Sequence, residues 1–190
     1  MNHTEPIRDK EDVRQLIYHY RKLGQSRNYA LITLNVHTAL RISDILRINC
    51  NDVYDFANKS VRESITLTEK KTGKAKTIAL NEDIVKALEY HFPNAKPNTA
   101  LILNEKTQEA IGRIQAYRLI RNAGEAIELY QRVSSHSLRK TFGYHAWKKG
   151  ASPAVIMEIY NHSSFEVTRR YLGIAQDDKN AVYLGINFTA

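Results

Sequence analysis

A histidine and an arginine three residues apart, His136 and Arg139, head the stretch of this chain with the greatest capacity for chemistry. If Ser135 caps a helix, both side chains fall on one face of its first turn, where unpaired backbone N–H groups favour an anion. That arrangement suits a phosphate. Ser163-Ser164-Phe165-Glu166 has the S-x-x-E capping-box form, which predicts another helix and sets Tyr171 in its second turn, on the face of Val167 and Thr168. His162 stands just ahead of that helix. The spacing therefore predicts that His136, Arg139, His162 and Tyr171 converge on one cluster of charged oxygen atoms.

Two basic boxes lie upstream. Arg41 precedes Ser43, a predicted cap for the short apolar segment Ile45, Leu46 and Ile48, and Asp44 is spaced to orient the Arg41 guanidinium through a charge-assisted hydrogen bond. Taken alone, this box reads more readily as a surface salt bridge on an ordinary helix. Further on, two β-branched stretches, 61–68 and 76–80, bracket a turn containing Lys70, Lys71 and Lys74, with Lys76 opening the second stretch. Such a hairpin can lay an ammonium against a phosphate backbone; its bland alternative is a solvated tip. Thr72-Gly73-Lys74-Ala75 lacks the first glycine and the final hydroxyl of a nucleotide-binding phosphate loop.

Taken together, these boxes resemble the tyrosine recombinases, or phage-type integrases. His136-x-x-Arg139, then His162, then Tyr171 nine residues later resembles the C-terminal signature of that family; Thr38-Ala39-Leu40-Arg41-Ile42-Ser43-Asp44 resembles its first-arginine box, and Lys70-Lys71-Thr72-Gly73-Lys74 its β-hairpin lysine. Each box is weak by itself, but they occur in the family's order. Asn161 departs from the pattern, standing where glycine is usual.

The resemblance implies a mainly α fold with a small antiparallel β-hairpin (α+β), and a site-specific recombinase or integrase that cuts and rejoins strands of double-stranded DNA. It implies that Tyr171 is the nucleophile, leaving a covalent 3′-phosphotyrosine and a free 5′-hydroxyl, with neither ATP nor another cofactor. Lys71 is then the general acid, with Lys70 and Lys74 as substitutes, and His136 assists proton transfer at the phenol. Negative charge accumulates on the non-bridging oxygens of a pentacovalent phosphorus, so preorganised cations lower the barrier most. Arg41 and Arg139 suit that task because a planar guanidinium grips two oxygens and stays charged, with His162 adding a hydrogen bond. No metal ligand set is expected, since the sequence offers no convincing carboxylate cage.

Bulk composition agrees with such a partner. Lys and Arg number 28 against 20 acids, a formal net charge of +8, which makes a polyanion plausible. A sole cysteine, Cys50, excludes an internal disulfide and a thiolate zinc cage and fits a reducing compartment. No apolar run approaches the ~20 residues needed to span a bilayer. A cytoplasmic protein is expected, acting at a bacterial nucleoid or encoded by a phage or mobile element, with no membrane partner.

The elements that must position these groups read mainly as helices. Asp9 is a predicted cap for a helix carrying Val13, Leu16, Ile17 and Tyr20 and ending at Gly24; a second starts at Ser26, and a third follows Asn81 with Ile84, Val85, Leu88 and Phe92. Residues 93–97 are a surface connection, and Leu101-Ile102-Leu103 a short extended piece. Thr107 is the predicted cap of a long helix through Ala123, with Ala110, Ile114, Tyr117 and Ile120 apolar and Arg113, Arg118 and Arg121 on other faces, ended by Gly124. Those arginines, with Lys70, Lys74, Lys76, Lys140, Arg169 and Arg170, are the candidate DNA contacts. The arginine-box helix stops at Gly150, and Ser152-Pro153 starts the next. Beyond Tyr171, Asp177 is a possible cap for a tail with Ala181, Val182, Leu184, Ile186 and Phe188.

Residues 1–190 read as a single catalytic domain, without room for the N-terminal helical clamp that most members of the family carry. A tetramer on DNA, and a monomer or weak oligomer away from it, is the expected assembly. Two rivals share the residue set: a monomeric relaxase of the type IB topoisomerase kind, and a catalytically idle DNA-binding regulator on the same fold.

Overall fold

The computed structural model describes residues 4–174 and 182–186. Helix α1, Lys10–Lys22, starts where Asp9 accepts hydrogen bonds from the N–H groups of Glu11 and Asp12, and it buries Leu16, Ile17 and Tyr20. Helix α2, Ser26–Thr38, is buried along almost its whole length, because its apolar residues face two directions. Ala30, Leu31 and Leu34 enter one core cluster, while Tyr29, Ile32 and Val36 enter another. Thr33 and Thr38 survive there because their hydroxyls donate to the carbonyls of Tyr29 and Leu34. Each fully buried leucine or isoleucine contributes about 1.5–3 kcal/mol, so α2 is the mast of the fold.

Around it come two short helices, α3 (Ile42–Ile45) and α4 (Cys50–Val53), then three small antiparallel pairs. Strand β1 (Tyr54–Asp55) pairs with β2 (Ser60–Val61), and β3 (Ser64–Thr68) with β4 (Ala75–Ala79). In the latter hairpin Ile65 faces the core and Thr66 meets Thr77 on the outer side, so the period-two pattern fixes register and leaves the lysine turn projecting. Helix α5, Glu82–His91, is capped by the Asn81 side chain and packs on α2. Strands β5 (Leu103–Asn104) and β6 (Glu109–Ala110) precede α6, Arg113–Ala126. Helices α7 (Ser135–Lys148), α8 (Pro153–Tyr160) and α9 (Phe165–Leu172) follow, and Ala39, Ile156, Tyr160 and Leu172 form a third, smaller core between them. The architecture is the mainly α, small-β fold expected, and Cys50 is buried.

Several boundaries differ from the sequence reading. Thr107 lies in the β5–β6 turn, and α6 starts at Arg113 after Gly112. Pairing of Leu103 with Ala110 and of Asn104 with Glu109, together with Ile111 N–H donating to the Ile102 carbonyl, holds that stretch extended against its helical pattern. The buried face of α6 is then Ala116, Ile120 and Ala123, while Ile114 and Tyr117 are 70% and 42% exposed. Gly124 does not end the helix. A Cβ there would meet Val133 Cγ2 at 3.0 Å, so the glycine permits close packing. Ser43 lies inside α3, whose cap position is Arg41 itself. Asp177, Ala181 and Phe188 lie outside the described residues.

Candidate active site

Helix α7 opens one residue earlier than expected. Ser134, not Ser135, is the cap: its hydroxyl accepts from Ser137 N–H while the Ser137 hydroxyl accepts from Ser134 N–H. This puts His136 in the first turn at the surface and Arg139 one turn on, buried. The Arg139 guanidinium donates to the carbonyl of Ala39, and its Cζ lies 4.8 Å from the ring centre of Tyr160. Ala39 holds the left-handed conformation at the end of α2, with φ 53°. For a residue with a Cβ that conformation costs on the order of 1 kcal/mol, and here it turns the chain so that Arg41 follows at once beside the Arg139 anchor.

Arg41 does not pair with Asp44. Asp44 is buried, accepts from the backbone N–H of Lys70 at 2.9 Å and lies 4.0 Å from Arg47, so it anchors the lysine hairpin instead. The acid beside Arg41 is Glu69, at 3.2 Å. Glu69 also accepts from the Thr72 hydroxyl and from the Asn161 side-chain amide, each at 2.8 Å. The sequence reading missed Glu69; the only signal was one carboxylate inside a basic turn.

Asn161 ends α8 with φ 55°, a left-handed conformation that asparagine tolerates, which accounts for a non-glycine residue there. The next residue, His162, is held by contact of its Nδ1 with the Thr168 hydroxyl at 3.0 Å, stacks on Tyr160 and meets the Tyr171 ring edge-on. Helix α9 is capped by Ser164, which accepts from Val167 N–H, rather than by the Ser163–Glu166 box. Tyr171 lies on the same side as buried Thr168, and its hydroxyl is 3.4 Å from His136 Nδ1.

The electrostatics tie the groups together. Burial pushes the Tyr171 phenol up, opposed by Arg139 and Arg41. His136 is pushed below the ordinary histidine value by burial and by Lys140, Arg139 and Arg41; His162 moves the same way through burial, Arg139 and Arg41. A pair of guanidiniums thus acts on both imidazoles and on the phenol. Among the described residues no group of three or more His, Cys, Asp or Glu side chains forms a metal cluster.

The lysines divide. Lys70, Lys71 and Lys74 are exposed on the turn, whereas Lys76 reaches inward, its Nζ donating to the Ile159 carbonyl at 2.8 Å. Burial, Arg139 and Arg41 lower its basicity against the pull of Glu69 and Asp44. Lys140 is buried too: its Nζ donates to the Thr4 carbonyl and lies 5.2 Å from the Tyr171 ring centre. It is therefore placed under the phenol, not on an open DNA-facing surface. Arg113, Arg118 and Arg121 are exposed on α6, with Arg121 paired to Glu125 at 2.6 Å. Arg169 and Arg170 both lie beside Glu166, at 3.1 and 3.7 Å.

The profile of the phage integrase family matches residues 8–177. The chain belongs to the phage integrase family. A relative within it is the "Probable integrase/recombinase YoeC" of Bacillus subtilis (strain 168), 35% identical over 183 residues, which cover 96% of this chain and 97% of that protein. Tyrosine recombinase XerD of Mycobacterium tuberculosis (strain CDC 1551 / Oshkosh) is 26% identical over 166 residues, 84% of this chain and 51% of that protein. The chain thus spans nearly all of the first relative and about half of the second. Among solved structures, XerA recombinase superposes with a TM-score of 0.77 at 20% identity, covering 96% of this chain and 66% of that one. XerH site-specific recombinase, in a post-cleavage complex with palindromic difH substrate, gives 0.72 at 19% identity over 95% and 53%. These structural likenesses show the shared fold. The named relatives are integrases and tyrosine recombinases, so neither the topoisomerase-like nor the regulatory rival is favoured. Among the described residues no helix is long and apolar enough to cross a membrane.

Proposed function

We propose that this chain cuts and rejoins double-stranded DNA as a site-specific tyrosine recombinase. What carries the reading is the Tyr171 hydroxyl beside His136 Nδ1, with Arg41 and Arg139 acting on the same phenol. The phenol attacks phosphorus while Nδ1 of His136 accepts its proton. The P–O5′ bond breaks, and the departing 5′-oxygen takes a proton from Lys71. Arg41, Arg139 and His162 hold the non-bridging oxygens as their charge grows. Rejoining is the same transesterification reversed, so no energy source is consumed.

Further assignments follow from this reading. A tetramer on DNA, with a monomer or weak oligomer away from it, is the proposed assembly; the exposed Val182, Tyr183, Leu184 and Ile186 supply apolar surface for contact between protomers. Arg113 and Arg118 are proposed to follow the DNA backbone. The site of action is proposed to be the cytoplasm, on chromosomal, phage or mobile-element DNA. Lys76 supports a second reading of the proton donor, because its half-buried ammonium, held against the Ile159 carbonyl, releases a proton more readily than an exposed one.

The test is a nicked duplex that traps the cleaved strand. The protein should give a denaturation-resistant protein–DNA complex, and Tyr171→Phe none. A complex formed equally by both would remove Tyr171 from its role.

A further inference from the structure

Arg41 must be aimed before DNA arrives, and the residue beside it is an acid. The Glu69 side chain is fully buried, while that of Arg41 is 25% exposed. The carboxylate therefore sits behind the guanidinium, away from the side on which a phosphate would enter. The 3.2 Å approach of Arg41 Nη1 to Glu69 Oε1 lacks the direction of a hydrogen bond, so the pairing is ionic; Nη1 is itself buried, and it is the exposed remainder of the guanidinium that is left for another acceptor. The other Glu69 oxygen is held from both sides, by Thr72 next to Lys71 and by Asn161 next to His162.

We propose that Glu69 is a positioning residue, a buried carboxylate that fastens the first-arginine turn, the lysine hairpin and the α8–α9 junction to one point and so sets the aim of Arg41. This rests on the recombinase reading above and adds to it a residue that touches no DNA. Its action runs through Arg41. Asn161 shares the task by holding the carboxylate still, which gives the asparagine a purpose beyond ending a helix.

Single-turnover cleavage of the nicked duplex, with DNA affinity measured separately by fluorescence anisotropy, tests it. Glu69→Gln keeps the shape and removes the charge. Cleavage at saturating DNA should slow by about tenfold or more while the half-saturating DNA concentration moves less than about threefold, the mark of a contact that matters in the transition state. In an Arg41→Ala background the same change should slow cleavage by less than about twofold, because the effect has lost its route. Asn161→Gly, which keeps the left-handed backbone and removes only the amide, should slow cleavage less, and not at all once Glu69→Gln is present. It also carries the test should Glu69→Gln lose folded yield.

Unchanged or faster cleavage by Glu69→Gln would overturn the proposal. So would equal slowing with and without Arg41, which would mark a purely structural role, or, in the reserve case, cleavage by Asn161→Gly at the unaltered rate. A protein with its native residues that formed no covalent complex would defeat the recombinase reading itself, a result distinct from all of these.

Discussion

The hydroxyl of Tyr171 lies 3.4 Å from Nδ1 of His136, and the two rings meet at 85° with centres 5.1 Å apart. Burial favours the protonated phenol, while burial and three cations favour the neutral imidazole. The proposed nucleophile thus faces the proposed base, at a distance expected to shorten once substrate is bound. His136→Ala should lower single-turnover cleavage by about 10²-fold or more with little change in DNA affinity. Because the imidazole of the DNA-free protein is shifted below its ordinary 6.5, the acid limb of the cleavage profile at subsaturating DNA, which reports the free protein, should fall below that value. A limb above it would contradict the assignment.

The proton donor can be separated chemically. Replacing the 5′-bridging oxygen of the scissile linkage by sulfur gives a leaving group that departs without a proton. Lys71→Ala should slow cleavage of the ordinary duplex by about 10²-fold and recover on the sulfur substrate, while Lys76→Ala should not recover. The reverse pattern would assign the acid to Lys76.

Folding stability should depend on pH through the same imidazoles. His37, His91, His136, His145 and His162 all have folded values below 6.5, mainly because burial penalises the cation. Protons then bind the unfolded chain first as pH falls. Their contribution is complete above about 6.5 and is lost as pH drops through the lower folded values. Thermal unfolding without DNA should show a plateau above that pH and a falling Tm below it.

At Gly143, α7 packs tightly against side chains of both α8 and α9. A Cβ there would lie 2.5 Å from Leu172 Cδ2 and 2.6 Å from the Tyr160 hydroxyl, which itself donates to the Arg139 carbonyl. Gly143→Ala should destabilise the fold by about 1–3 kcal/mol, read by denaturant unfolding, and also weaken cleavage, because relief of the clash moves the helix that bears Tyr171.

On α6, Arg118 and Arg121 are both exposed, but among the described residues only Arg121 has a carboxylate partner, Glu125. Arg118→Ala should weaken DNA binding regardless of sequence and reduce the slope of log affinity against log salt by about 1. Arg121→Ala should have the smaller effect, since its charge is already partly satisfied.

How much of this was legible in the sequence depends on the range of the interaction. Asp9, Asn81 and Ser152 were readable as helix caps because a cap acts over a few residues. His136, Arg139, His162 and Tyr171 were readable as a set because their types and spacing carry the family pattern. Thr107 misled because two-residue strands have almost no signal of their own, and their pairing decided where α6 begins. Asp44 misled because spacing placed it near Arg41 but could not show that the Lys70 N–H, 26 residues away, would claim it. Glu69 was out of reach for the same reason, since its partner Asn161 lies 92 residues on.

Arg139 finds its resting place on the carbonyl of Ala39, 100 residues back along the chain. A polypeptide emerging from the ribosome therefore holds its first arginine long before it holds the second, and long before the tyrosine. On the proposed assignment, synthesis order leaves the unfinished molecule without its nucleophile until the final third has been made and has folded back onto α2.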